Sequence, residues 1–244
     1  MDDFSVALRW SDIDSLRHVN NVRYLQFADE ARAAFAGPDA SPLPAGAFTL
    51  DVLFARPLPM SAGRAVVVSR VEGDVLTQDI CAGEGDDRVV YASIATHERI
   101  ADALPELPAG SASSFVPWEI RHGDMAVDGR ISSATLIALF QEGRMEIVDA
   151  ATTVHSDETC VVARTRVDVH RRPSWRAEPF EIQASVGRIG TASFTIEATL
   201  MDGHEVLARC QSVLVGFDVA TQRSRPLTPR ERATLETYLS HPHP

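Results

Sequence analysis

Shifted by 112 positions, residues 6–32 lie over residues 118–144 without a gap. Arg9 falls on Arg121, Asp12 on Asp124, Glu30 on Glu142 and Arg32 on Arg144. Apolar positions follow the same register: Val6 with Trp118, Leu8 with Ile120, Ile13 with Met125, Val19 with Ile131, Leu25 with Ile137. Identities combined with matched periodicity are the signature of an internal duplication, and they require one supersecondary unit to be built twice.

Each copy reads the same way. Phe4, Val6, Leu8 and Trp10 alternate with Ser5, Ala7 and Arg9, the period of a half-buried strand, which places Trp10 in the core. A loop leads to a helix over 21–35, whose Val22, Leu25, Ala28, Ala31 and Phe35 recur at helical spacing. Strand patterns follow at 47–55, 64–72, 75–82 and 88–98, with Gly73-Asp74 and the Gly83–Asp86 run as turns. The second copy repeats the plan with strands at 115–121, 159–170, 178–189, 192–201 and 205–217 and a helix at 133–149. The segment 99–114, with Pro105, Pro108 and Gly110, reads as a linker and divides the chain into 1–100, 101–114 and 115–244. Thr228-Pro229-Arg230-Glu231 is a capping box that opens a last helix. Twice over, one helix meets five mostly antiparallel strands, an α+β plan in which a sheet wraps the helix it covers.

Composition narrows the function classes. With 244 residues, 45% of them apolar, two small cores can be buried, and no run approaches a membrane span. The start, Met1-Asp2-Asp3-Phe4, is acidic and does not resemble a signal peptide, so a cytoplasmic location without membrane association is expected. A net charge of −11 disfavours nucleic acid and, mildly, an acidic carrier-protein partner. All 23 basic residues are Arg, which excludes a Lys Schiff base. Cys81, Cys160 and Cys210 show no CxxC spacing, so reduced thiols on strands are expected in place of a zinc site or disulfide framework.

Chemistry concentrates in the stretch from Arg9 to Leu25, where Asp12, Asp14, His18, Asn20 and Asn21 stand just ahead of the first helix. A helix start offers unpaired N–H groups and partial positive charge, suited to an oxyanion. A carboxylate upstream of it can activate water or attack a carbonyl itself. That pairing suits acyl transfer to water.

The same stretch resembles the signature of the 4-hydroxybenzoyl-CoA thioesterase branch of the hotdog superfamily. Arg9, Trp10, Asp12, Asp14, His18, Val19, Asn20, Asn21, Tyr24, Glu30 and Arg32 all stand in its pattern. Phe54-Ala55-Arg56-Pro57 is similar to the family's Tyr-x-Arg-Pro strand end, and the run from Gln211 to Asp218 to its last strand. The resemblance implies a tandem double hotdog that hydrolyses an acyl-CoA thioester without metal or redox cofactor, coenzyme A entering only as part of the substrate. It implies Asp14 as the catalytic carboxylate and the amide near Asn21 as oxyanion donor, with His18 and Asn20 shaping the loop. Arg17, Tyr24, Arg56, Arg171 and Arg172 are candidate substrate contacts, the arginines because guanidinium suits the phosphates of coenzyme A. Arg17 departs from the family, which usually has Gly before the His.

The second copy serves as an internal control. Asp12 is kept as Asp124, which favours a structural role for it. Asp14 becomes Ala126 and His18 becomes Arg130, a joint loss expected of residues that serve chemistry. Asn20-Asn21 becomes Ser132-Ser133, so one Asn reads as a helix cap. Glu30, Glu142, Arg32 and Arg144 read as helix-surface or interface salt-bridge residues. The expectation is one working site per chain, at the helix start of copy one, with copy two supplying wall; the fused pair could assemble further as a homodimer. Two alternatives stand beside it: a non-catalytic acyl-CoA-binding module, motivated by Arg17, and a hotdog hydratase. The hydratase pattern Asp-x-Asn-Pro-x-His fits poorly, because Leu16-Arg17 replace Asn-Pro and His18 stands four residues after Asp14.

Overall fold

A computed structural model describes residues 3–37, 43–107, 111–152 and 158–239. The proposed linker's Pro108 and Gly110 lie outside them. The first half contributes β1 (Asp3–Ala7), α1 (Asn21–Ala36), β2 (Phe48–Phe54), β3 (Arg64–Glu72), β4 (Val75–Ala82) and β5 (Val89–His97). The second contributes β6 (Ser114–Trp118), α2 (Ser133–Ala151), β7 (Glu158–Val169), β8 (Phe180–Ile189), β9 (Ser193–Asp202) and β10 (Glu205–Asp218). A short β11 (Arg223–Ser224), which the sequence pattern did not signal, pairs with the end of β10. The final helix α3 (Pro229–Glu236) starts as its sequence predicts: Thr228 caps Glu231, and Glu231 reaches back to Thr228.

The strands form one continuous antiparallel sheet in the order β1-β3-β4-β5-β2-β7-β10-β9-β8-β6. The two halves therefore meet edge to edge. β2 pairs with β7 from Phe48 opposite Val169 to Leu53 opposite Arg164. Each half would otherwise end in an unpaired edge, and the seam removes both. Polar groups fix its register: the Thr49 hydroxyl donates to Asp168 Oδ1 at 2.7 Å, both residues buried, and Arg164 Nε donates to Asp51 Oδ1 at 2.8 Å. The remaining Asp168 oxygen accepts from the Leu104 amide at 2.6 Å, so the connecting segment is tied to the seam.

α1 lies over β1, β3, β4 and β5, and α2 over β6, β8 and β9. The helices also touch each other, where the Ser133 hydroxyl donates to Asp29 Oδ2 at 2.7 Å. Leu25, Ala28 and Ala31 point into the core as the periodicity requires, whereas Phe35, in the last turn of α1, is half-exposed and edge-on to Phe4. α2 is buried over most of its circumference. Its Gly143 is what lets it settle on β8, since a Cβ there would stand 2.5 Å from Ile182 Cγ2. Among the described residues no helix is long and apolar enough to cross a membrane.

Two placements correct the sequence reading. Trp10 is 82% exposed. The chain leaves the sheet after Ala7 and enters a 3-10 turn at Trp10–Asp12, so strand alternation stops before it reaches Trp10. Arg32 and Arg144 are both buried, not on the helix surface; only Glu30 and Glu142 are exposed. Arg32 keeps an ion pair, to Asp29, whereas Arg144 makes none among the described residues.

Candidate active site

The loop between β1 and α1 is built from backbone bonds that the two Asp residues organise. Asp12 Oδ2 accepts from the Arg9 amide at 2.7 Å, and the Asp12 carbonyl accepts from the Asn20 amide at 2.8 Å. Between them Ile13 bridges Val19, closing a small hairpin. At its tip the Asp14 amide donates to the His18 carbonyl, and the Arg17 amide to the Asp14 carbonyl. Asp14 Oδ1 accepts from the amides of Leu16 at 2.9 Å and His18 at 3.2 Å. Oδ2 accepts from no group among the described residues, so one carboxylate oxygen is held and the other is left for chemistry.

The start of α1 follows the same economy. Asn20 Oδ1 accepts from the Val22 amide at 3.0 Å and the Asn20 carbonyl from the Arg23 amide at 2.9 Å, which makes Asn20 the N-cap. Among the described residues the Asn21 amide donates to nothing, the orphan donor expected of an uncovered first turn. Tyr24 is buried one turn on. Its hydroxyl accepts from the Leu58 amide at 3.1 Å, and burial pushes its pKa up to about 12, so it serves as a neutral clamp on the 56–59 segment. The Val19 amide on the Leu58 carbonyl completes that clamp.

Asp14, His18, Asn20, Asn21 and Tyr24 line one cavity of about 510 Å³. Its opposite wall belongs to the second half: Arg144, Met145 and Val148 of α2, Cys160 and Val162 of β7, and Leu214 of β10. The helix start of one copy thus faces the flank of the other, an apolar chamber with a few convergent polar groups.

Residues 120–235 match the pattern of the thioesterase-like superfamily, and residues 2–36 match that of the acyl-ACP thioesterase C-terminal domain. The chain is therefore similar to the thioesterase-like superfamily over its second half. It is accordingly a thioester hydrolase with the hotdog-like fold of that group. Its fold is similar to that of the 12:0-ACP thioesterase from Umbellularia californica (TM-score 0.63, 12% identity, 88% of this chain and 94% of that one). It is also similar to a putative oleoyl thioesterase from Lactobacillus plantarum (TM-score 0.62, 7% identity, 87% and 95%). A predicted thioesterase from Bacillus stearothermophilus aligns with 53% of this chain over 98% of its own length (TM-score 0.49, 25% identity). No curated protein sequence matches the chain.

Within this thioesterase the second copy rebuilds the loop without the carboxylate. Asp124 accepts from the Arg121 amide at 2.8 Å, as Asp12 does from Arg9. The Ala126 amide donates to the Arg130 carbonyl and the Gly129 amide to the Ala126 carbonyl, matching the bonds around Asp14. The hairpin therefore forms with Ala at the Asp14 position. Asp12 is scaffold, whereas the Asp14 side chain is not required by the fold. Arg130, in the place of His18, sends Nη1 to the Ala45 carbonyl at 3.2 Å.

The arginines separate. Arg56 is exposed and lines the cavity. Arg17 is exposed and outside the cavity lining. Its φ of +64° matches the +72° of Gly129, the equivalent residue of copy two, so this thioesterase keeps the turn of the glycine-bearing loop with a side chain attached. Arg171 pairs with Glu205 and Asp202, and Arg172 is buried on Asp128 and the Ile131 carbonyl; neither lines the cavity. The three thiols sit on β4, β7 and β10 as expected. Burial pushes Cys160 and Cys210 up to about 12, which leaves Cys160 without nucleophilic character although it lines the cavity. The sequence reading expected copy two to supply the wall, but Gln141 and Arg144 of α2 as its residues escaped it. Their signal was present in the repeat: the Asp29–Arg32 pair of copy one becomes Gln141 and Arg144.

Proposed function

We propose that the enzyme hydrolyses an acyl-CoA thioester to free acid and coenzyme A, at one site per chain that uses Asp14. In this reading 1–100 and 115–244 are two hotdog units fused in tandem through 101–114, the first catalytic and the second serving as wall. Asp14 Oδ2 takes a proton from a water that adds to the thioester carbonyl, or adds to it directly to give an anhydride that water then hydrolyses, releasing the acid, restoring Asp14 and supplying the proton. The Asn21 amide stabilises the oxyanion; collapse expels the thiolate, which takes up the proton. His18 and Asn20 hold the loop, and Arg56 at the cavity rim meets the phosphates of coenzyme A.

The observation that carries the reading is the conjunction of a free Asp14 oxygen and a free Asn21 amide on one cavity. Asp14→Asn keeps the two amide bonds to Oδ1 and removes the base. It should lower kcat by about 10²–10⁴-fold on a panel of acyl-CoAs while leaving Tm unchanged. Undiminished thiol release by the folded variant would overturn the assignment.

An acyl-carrier-protein thioester is a second reading, favoured by the match of residues 2–36 to the acyl-ACP thioesterase C-terminal domain. The net charge of −11 favours coenzyme A, because an acidic carrier would be repelled. Parallel kcat/KM values on one acyl group carried by each decide between them. Arg17 lends the non-catalytic reading no support, since it stands outside the cavity lining.

A further inference from the structure

Arg144 is a buried charged side chain of the cavity that thioester hydrolysis leaves unused. It is 4% exposed, lines the cavity, and makes no hydrogen bond or ion pair among the described residues; its Nη1 is fully buried. Its surroundings supply no carboxylate in contact with it; Glu142 attracts it only at a distance. Glu142 is exposed on the helix surface, and the adjacent Cys210 thiol stays neutral with its pKa pushed up to about 12. Asp149, which also lines the cavity, is exposed and forms no ion pair with Arg144. Burial brings Arg144 down to about 10, which still leaves it protonated at neutral pH.

Copy one shows what this position does when it is purely structural. Arg32, the equivalent residue, has Asp29 three residues earlier and bonds it at 2.5 Å. Three residues before Arg144 stands Gln141, which is neutral. The second copy thus keeps the cation, drops its acid, and turns the vacated side toward the cavity. An uncompensated buried charge is costly unless a partner of opposite sign arrives.

We propose that Arg144 receives a carboxylate carried by the acyl group, so that the preferred substrate is the monothioester of a dicarboxylic acid. This rests on the thioesterase reading above and extends it to substrate class. The thioester end lies at Asp14 and Asn21, the free carboxylate at the Arg144 guanidinium, and the methylenes between them against Met145, Val148, Val162 and Leu214. The phosphates of coenzyme A are the poorer partner, since Arg144 is buried mid-helix while the exposed Arg56 stands at the rim.

Binding of three non-hydrolysable thioethers, S-(5-carboxypentyl)-CoA, S-hexyl-CoA and S-(6-hydroxyhexyl)-CoA, tests this by titration calorimetry on the full chain. The carboxylate should bind wild type about 10–100-fold more tightly than the hexyl compound, the range of a charge-assisted hydrogen bond. Arg144→Met should abolish that preference and Arg144→Lys should keep part of it. Equal or tighter binding of the hexyl or hydroxyhexyl compound by wild type overturns the proposal, whether or not the variants fold. So does a preference that survives in folded Arg144→Met. Thioether binding needs no Asp14 chemistry. An active Asp14→Asn enzyme with the preference intact would therefore sink the catalytic assignment and leave this one standing.

Discussion

Replacing Arg17 by Gly should make the protein more stable without changing its catalysis. Arg17 holds φ +64°, a left-handed conformation that costs an L-residue about 1–2 kcal/mol and glycine nothing. Glycine loses more freedom on folding, about 0.5–1 kcal/mol, so the net gain is about 0.5–1 kcal/mol. The Arg17 side chain is exposed and makes no hydrogen bond or ion pair among the described residues to offset this; only its backbone amide is used, and glycine has the same amide. For a chain of this length the gain corresponds to a rise in Tm of about 1–4 °C. Scanning calorimetry on wild type, Arg17→Gly and Arg17→Ala separates the causes. Alanine removes the guanidinium but keeps the strained Cβ, and so should leave Tm unchanged. Because the loop already has the glycine turn, kcat/KM of Arg17→Gly should equal that of wild type. A fall in Tm for Arg17→Gly, or an equal rise for Arg17→Ala, would refute the reasoning about backbone strain.

Two further outcomes follow from charges buried elsewhere. Asp29→Leu removes the ion-pair partner of Arg32 and the acceptor of Ser133 at the helix–helix contact, leaving the buried guanidinium without that carboxylate; unfolding in urea should show a loss of about 3–5 kcal/mol, and a loss below about 1 kcal/mol would mean the pair is not needed. Glu231 sits in the α3 capping box, where burial raises its pKa but the Arg225 ion pair and the Thr228 amide outweigh it and hold it below the ordinary 4.5. A folded pKa below the unfolded one gives stability that is present above pH 4.5 and is lost as pH falls through the folded pKa. Glu231→Gln should therefore be less stable than wild type at pH 7, with the gap in Tm closing as the pH drops below 4.5; a gap independent of pH would show that the carboxylate's charge is not what matters.

Much of this was legible in the sequence because the repeat doubled every signal. Strand and helix periods appeared twice in one register, and the differences between copies marked Asp14 as dispensable to the loop. The Asn20 cap was readable from chemistry that acts within two residues. What escaped depended on contacts far apart in the chain. The β2–β7 seam joins residues more than one hundred positions apart, and no local pattern says which edge a strand will meet. Trp10 failed for the opposite reason: alternation is local, but the 3-10 turn that ends it is set by the bond from the Arg9 amide to Asp12. Arg144 looked like Arg32 because the repeat aligns them, and only the lost acid at Gln141 told them apart.

The continuous sheet has a consequence for how such a site can change. If two identical chains met at the β2–β7 seam, any substitution in a cavity wall would also alter the catalytic half of the other cavity. Here both halves lie on one chain, each with its own codons. Copy two could lose Asp14's counterpart and trade an acid for Gln141 while copy one kept its loop intact. In the proposed reading, fusion leaves the wall free to vary independently of the machinery it faces.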